Sequence, residues 1–168
     1  MGLNTKCPIH GNEHPDFLCP QKDSSSRKIF LISPVAGASP EDIEAVKQKR
    51  PDLIKSEELR KIYSYVENLE DGGSNVHWPL RDTEQNDPTG GYVICRTNLG
   101  EIMEREEVHI WYAETSGGSK FDMGAVFMLV EMLGFEKKLV IVNENEVVDN
   151  SKKSLFKVFK NLIARHGG

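Results

Sequence analysis

Apolar and polar positions change their spacing several times along the chain, and each change marks an element. Residues 1–27 carry no periodic apolar pattern and end in the polar run KDSSSR, so they read as an appendage and linker. The globular domain is expected over residues 28–168. KIFLISPV, beginning at Lys28, is a short unbroken apolar run closed by Pro34 and Gly37, the mark of a strand buried on both faces. Ser39 then caps a helix with Pro40 in its first turn and Asp42 three residues on; Pro51 interrupts it and Ser56 caps its continuation. Leu59, Ile62, Tyr63, Val66 and Leu69 recur at helical spacing until Asp71, Gly72 and Gly73 stop the helix.

NVHWPL reads as a second strand, followed by the polar, turn-rich loop RDTEQNDPTGGY and a short helix over residues 98–104. EVHIWYA is a third strand, TSGGS a glycine-rich turn, KFDMGAVFMLVEMLG an apolar helix and KKLVIVNE a fourth strand. SKKSLFKVFKNLIARHGG closes the chain as a helix with Leu155, Phe159, Leu162 and Ile163 on one face. The order βαβαβαβα with short connections predicts a parallel sheet of four or five strands joined by right-handed crossovers and covered on both faces. That is an α/β, Rossmann-like or flavodoxin-like three-layer fold. The sequence contains no internal repeat and no low-complexity segment.

Composition narrows the function classes. The 168 residues are 38% hydrophobic and 28% charged, ordinary values for one globular domain with a single core. A formal net charge of -5 gives no overall positive field for polynucleotide phosphates or anionic lipid. No apolar run approaches the roughly 18 to 20 residues that span a bilayer, and MGLNTKCPIHGNEH lacks an apolar stretch of signal-peptide type. The expectation is a soluble, cytoplasmic protein. Three cysteines, Cys7, Cys19 and Cys95, are an odd count in separate contexts, which fits reduced thiols or a metal better than a disulfide framework.

In open α/β sheets ligands bind outside the carboxyl ends of the strands, which directs attention to the loops ISPVAGAS, RDTEQND and AETSGGSKFD. All three are expected on one rim. In the third, Thr115, Ser116, Gly117, Gly118 and Ser119 lead from a strand into a helix, where free N–H groups and the positive dipole end favour an anion such as phosphate. Read structurally, the same glycines need only make a tight turn with Ser119 as N-cap. Asp122 lies one turn further on, followed by Met123, Gly124 and Ala125 in an apolar stretch. It is either a helix-dipole partner or a carboxylate aimed into the rim cleft, and Gly124 in a helix interior implies a close neighbour there.

These residues resemble the nucleoside 2-deoxyribosyltransferase-like superfamily of deoxyribosyltransferases and nucleotide N-glycoside hydrolases. The resemblance covers residues 28–144 and rests on IFLISPVAG, on VHWPLRDTEQNDP, on a helix containing Asn98 before EVHIWYA, and on TSGGSKFDMGAVF. The family's last motif carries an acidic residue, usually Glu, two positions before Gly, and that residue is the nucleophile toward the sugar; the resemblance gives this role to Asp122. The family's first loop often offers polar or basic groups, whereas this chain has Ser33, Pro34, Val35 and Ala36 without arginine. The resemblance also implies a homo-oligomer whose neighbours help close the site.

Cleaving an N-glycosidic bond passes through an oxocarbenium-like state and asks for a carboxylate beneath the sugar and a group that helps the base depart. No cofactor is required. Asp82, Glu84, Asp87 and Glu114 are the acids that could supply a second carboxyl, and Asp82, directly after a strand, is the first choice. The expected contacts to a small nucleoside or nucleotide are Ser33, Pro34 and Gly37, then Trp78 and Asp87, Asn98, Tyr112, and Ser116 through Ser119, with Trp78 and Tyr112 stacking on the base.

The appendage poses a separate question. Cys7, His10, His14 and Cys19 form C-x2-H-x3-H-x4-C, enough for a closed tetrahedral zinc site. A disordered tail is the other reading. With four protein ligands and no open position, such a zinc would be structural.

Overall fold

The strand β1, Lys28–Ile32, is the pivot of the molecule. Its residues Ile29 to Ile32 are all inaccessible to solvent, as a strand covered on both faces requires. In the computed structural model, which describes residues 26–35, 37–149 and 151–166, β1 pairs in parallel with β2 (Asn75–His77) on one side and β3 (Glu107–Ile110) on the other. The strand β4 (Lys138–Ile141) adds to β3, giving a four-stranded parallel sheet in the order β2-β1-β3-β4. The chain runs outward from β1 to β2 and then returns to the far side of β1, so the strand order reverses between β1 and β3.

Alternating side chains of the strands feed two cores. Ile29, Leu31 and Val76 meet Ala45 and Val46 of α1 (Pro40–Lys47) and Leu59, Ile62, Tyr63 and Val66 of α2 (Glu57–Asp71). Phe30, Ile32, Val108 and Ile110 meet the opposite layer: Ile102 of α4 (Tyr92–Glu104), Met123 and Val126 of α5 (Gly117–Phe127), and Phe156, Phe159 and Leu162 of α6 (Leu155–His166). The helix α3 is one turn, Pro79–Asp82. A wide π-type turn over Met128–Met132 ends α5.

The caps are those the sequence announces. Ser39 Oγ accepts the Asp42 N–H and Ser56 Oγ accepts the Leu59 N–H. The Asp42 carboxylate also accepts the Lys55 N–H at 2.6 Å and so ties α1 to the approach to α2. Several boundaries differ from expectation. The second strand stops at His77 rather than running through NVHWPL, because Pro79 has no N–H for a ladder and opens α3 instead. The third strand ends at Ile110, before WYA. The helix α4 starts at Tyr92, six residues before Asn98, and α5 takes in Gly117 and Gly118.

No helix among the described residues is long and apolar enough to cross a membrane. Cys7, His10, His14 and Cys19 lie outside the described residues; among the latter, no group of three or more His, Cys, Asp or Glu is placed to hold a metal.

Candidate functional site

Ser116 starts the helix that carries the site. Its extended backbone makes it the N-cap of α5, and its Oγ accepts both the Ser119 N–H and the Ser119 hydroxyl. Ser119 is therefore inside the first turn rather than the cap itself. Gly117 and Gly118 are exposed first-turn residues, whose N–H groups have no intrahelical acceptor. Asp122 follows in the second turn, out of the first turn where a carboxylate chiefly serves the helix dipole.

Asp122 is 7% exposed and Asn98, across from it on α4, is 5% exposed. The Asn98 Nδ2 amide donates to Asp122 Oδ2 at 3.2 Å and, more weakly, toward Oδ1 at 3.5 Å. Among the described residues no lysine, arginine or histidine is in salt-bridge range of this carboxyl. Burial disfavours the charged form and pushes Asp122 up to about 6, against the smaller opposing effect of the Asn98 bond. Gly124 has open space where a Cβ would stand, so the close neighbour expected from a helix-interior glycine is not there.

Asn98 is itself held from behind. Thr83, buried at the end of α3, donates its hydroxyl to Asn98 Oδ1 at 3.2 Å. His77 Nε2 lies 3.1 Å from the Thr83 hydroxyl, and His77 Nδ1 lies 3.5 Å from Glu101 Oε2. The His77 ring stacks on Phe30 with centroids 5.5 Å apart. Burial pulls His77 below the ordinary histidine range, with the charge of Glu101 the largest opposing influence. A continuous line of buried polar groups thus runs from the last residue of β2 to the second turn of α5. His77 and Thr83 are not legible as site residues, since a histidine between Val76 and Trp78 reads as core and a threonine in RDTEQND reads as loop. The available signal is polarity on the inward face of a strand.

The other candidates fall into different roles. Asp82 accepts the Trp78 N–H at 2.8 Å and the Arg81 Nε at 2.8 Å, so it closes the β2–α3 turn as an acceptor and does not join the Asp122 line. Trp78 is fully buried with its Nε1 donating to Ser33 Oγ, which leaves neither side chain open to a base. Tyr112 is buried against Phe156, and Asn143 brackets its backbone N–H and C=O. The expectation that Trp78 and Tyr112 stack on a nucleobase is thereby corrected: both are core. Asp87 accepts the Val93 and Ile94 N–H groups and secures the start of α4; Thr89 beside it holds its carboxyl below the usual range. Pro34 and Gly37 line a cavity of about 160 Å³ against Ser56 and Leu59. Gly37 has φ +103°, which favours glycine.

No protein-family profile, curated protein or solved structure matches this chain.

Proposed function

We propose that this protein cleaves the N-glycosidic bond of a nucleoside or nucleotide through the Asp122 carboxylate. The observation that carries the reading is a solitary buried carboxyl, raised to about 6, held by one amide in the second turn of the helix that follows β3. A carboxylate stripped of water and lacking a cation is poorly stabilised as an ion, and a cationic centre that develops beside it relieves that cost.

The chemistry follows from that charge. As the bond from C1′ to the base nitrogen breaks, its electron pair leaves with the base, which takes up a proton, and an Asp122 oxygen bonds to C1′. Attack of water on C1′ then breaks the bond to Asp122, returns the carboxylate and releases a proton; a second base nitrogen in place of water makes the reaction a transfer. The Asn98 amide bonds Oδ2 more closely than Oδ1, which leaves Oδ1 the less engaged oxygen for attack. The open N–H groups of Gly117 and Gly118 suit the phosphate of a nucleotide.

The reactive form is the ion, so turnover should rise with pH through about 6. The test is a panel of nucleosides and nucleoside monophosphates with free base measured by chromatography, for the wild type and Asp122→Asn. Release of base that falls by orders of magnitude in the variant supports the reading; base release unchanged in the variant overturns it. Asp82 is engaged by the Trp78 N–H and Arg81 and makes no hydrogen bond to Asp122, so among the described residues no second carboxyl is hydrogen-bonded to Asp122, which favours noncatalytic nucleotide binding as the alternative. A nucleotide that raises the melting temperature without losing its base would establish that alternative.

A further inference from the structure

We propose that His77 and Asp122 share one proton through Thr83 and Asn98, so that His77 and Thr83 are positioning residues that decide which end of the Asn98 amide meets the Asp122 carboxyl. The proposal takes from the glycosidic reading only the importance of Asp122; the proton coupling stands on the hydrogen bonds alone.

A threonine hydroxyl has one proton to give, and this fixes the direction of the whole line. With Asp122 ionised, Asn98 Nδ2 donates to it, Thr83 donates to Asn98 Oδ1, and the Thr83 oxygen must then receive an N–H from His77 Nε2. Glu101 Oε2, 3.5 Å from His77 Nδ1, calls for a proton on that nitrogen as well. The arrangement is complete when His77 is the imidazolium. In the reversed arrangement Asp122 is protonated and donates to Asn98 Oδ1, Asn98 Nδ2 donates to Thr83, Thr83 donates to His77 Nε2, and His77 keeps its one proton on Nδ1 toward Glu101. Both arrangements hold the same number of protons. They differ in the position of one, on His77 Nε2 or on Asp122, and in a half-turn of an amide whose two ends are nearly equal in size.

The mixed state is the poor one. Neutral His77 with its proton on Nε2 beside ionised Asp122 sets the bare Nδ1 lone pair against the Glu101 carboxylate. The groups facing His77 are Glu101 and Arg105, from α4 and the residue that ends it, and Arg81 and Asp82 from α3, with the Phe30 ring against its face from β1. Asn98 and Cys95 of α4 are the groups that face Asp122. Burial acts oppositely on the two ends of the line, lowering His77 and raising Asp122.

The experiment follows the ring nitrogens of His77 by 15N NMR across the acid to neutral range in the full chain. Asp122→Asn removes the charge that favours the imidazolium and should lower the His77 midpoint by about one pH unit. In a Thr83→Val background the line is cut while both ends remain, and the same Asp122→Asn change should leave the midpoint in place; Thr83→Ser should restore the displacement. Asn98→Ala cuts the line one link further on and serves if Thr83→Val does not fold. No displacement on Asp122→Asn, or an equal one in the cut backgrounds, overturns the proposal, the latter by exposing a direct effect of charge. A displaced midpoint in a protein that releases no base from any nucleoside leaves the coupling standing and removes the glycosidic reading.

Discussion

Asp122 is held at a cost to the fold, and the cost has a sign. Below about 3.8, the ordinary value, the carboxyl is protonated in both folded and unfolded chains and burial carries no charge penalty. Between there and about 6 the unfolded chain ionises and the folded one does not, so stability falls as pH rises; above 6 both are ionised and the loss is complete. Its size is roughly 3 kcal/mol, reckoned with the Asn98 bond already in place. Asp122→Asn is therefore expected to raise the urea midpoint at pH 7 and to lose that advantage toward pH 4, the opposite of what a purely structural carboxylate would do. Equal midpoints for variant and wild type at both pH values would remove this account. The same isolation makes Asp122 legible in the sequence, since it is a charged residue in a stretch that packs, whereas Asn98, among the exposed Arg96, Thr97 and Gly100, is reached only through the family resemblance. His77 and Thr83 are illegible because their burial depends on α4 folding over them, a contact between segments that no local pattern contains.

The order of strands and helices is readable because each helix carries its own start and stop. The differences lie where those signals are remote. The start of α4 is secured by Asp87, five residues ahead of Tyr92 across PTGG, and the apolar run YVIC that follows a double glycine reads as the tail of a loop. The start of α5 differs for a related reason: two glycines look like a turn, yet a serine on either side of them forms the cap and its brace. Ser116→Ala removes the acceptor of the Ser119 N–H and of the Ser119 hydroxyl inside the protein. It should destabilise by about 1 to 2 kcal/mol, read as a lower urea midpoint with an unchanged slope. Stability within a few tenths of a kcal/mol of wild type would mean that water or Thr115 replaces the cap.

For the molecule as a whole the weak points of a four-stranded open sheet are its edges. The β2 edge is closed by charge. Arg81 donates twice to Glu70 of α2, once more to the Val76 carbonyl, and also to Asp82, which in turn accepts the Trp78 N–H. Arg81→Ala leaves the Val76 carbonyl and two partly buried carboxylates without their donor, and a cost on the order of 2 kcal/mol is expected. The freed strand edge should also show as light scattering on heating, earlier than for the wild type; a variant that stays monodisperse to the wild-type melting point would show that the edge is protected by its shortness instead. The division into two cores has an optical consequence. Both tryptophans, Trp78 and Trp111, belong to the layer of α1 and α2, while Asp122 and Asn98 lie on α5 and α4 in the other. Intrinsic fluorescence is thus a reporter of one half of the interior, and occupancy around Asp122 has to be followed by a signal that originates on the other side of the sheet.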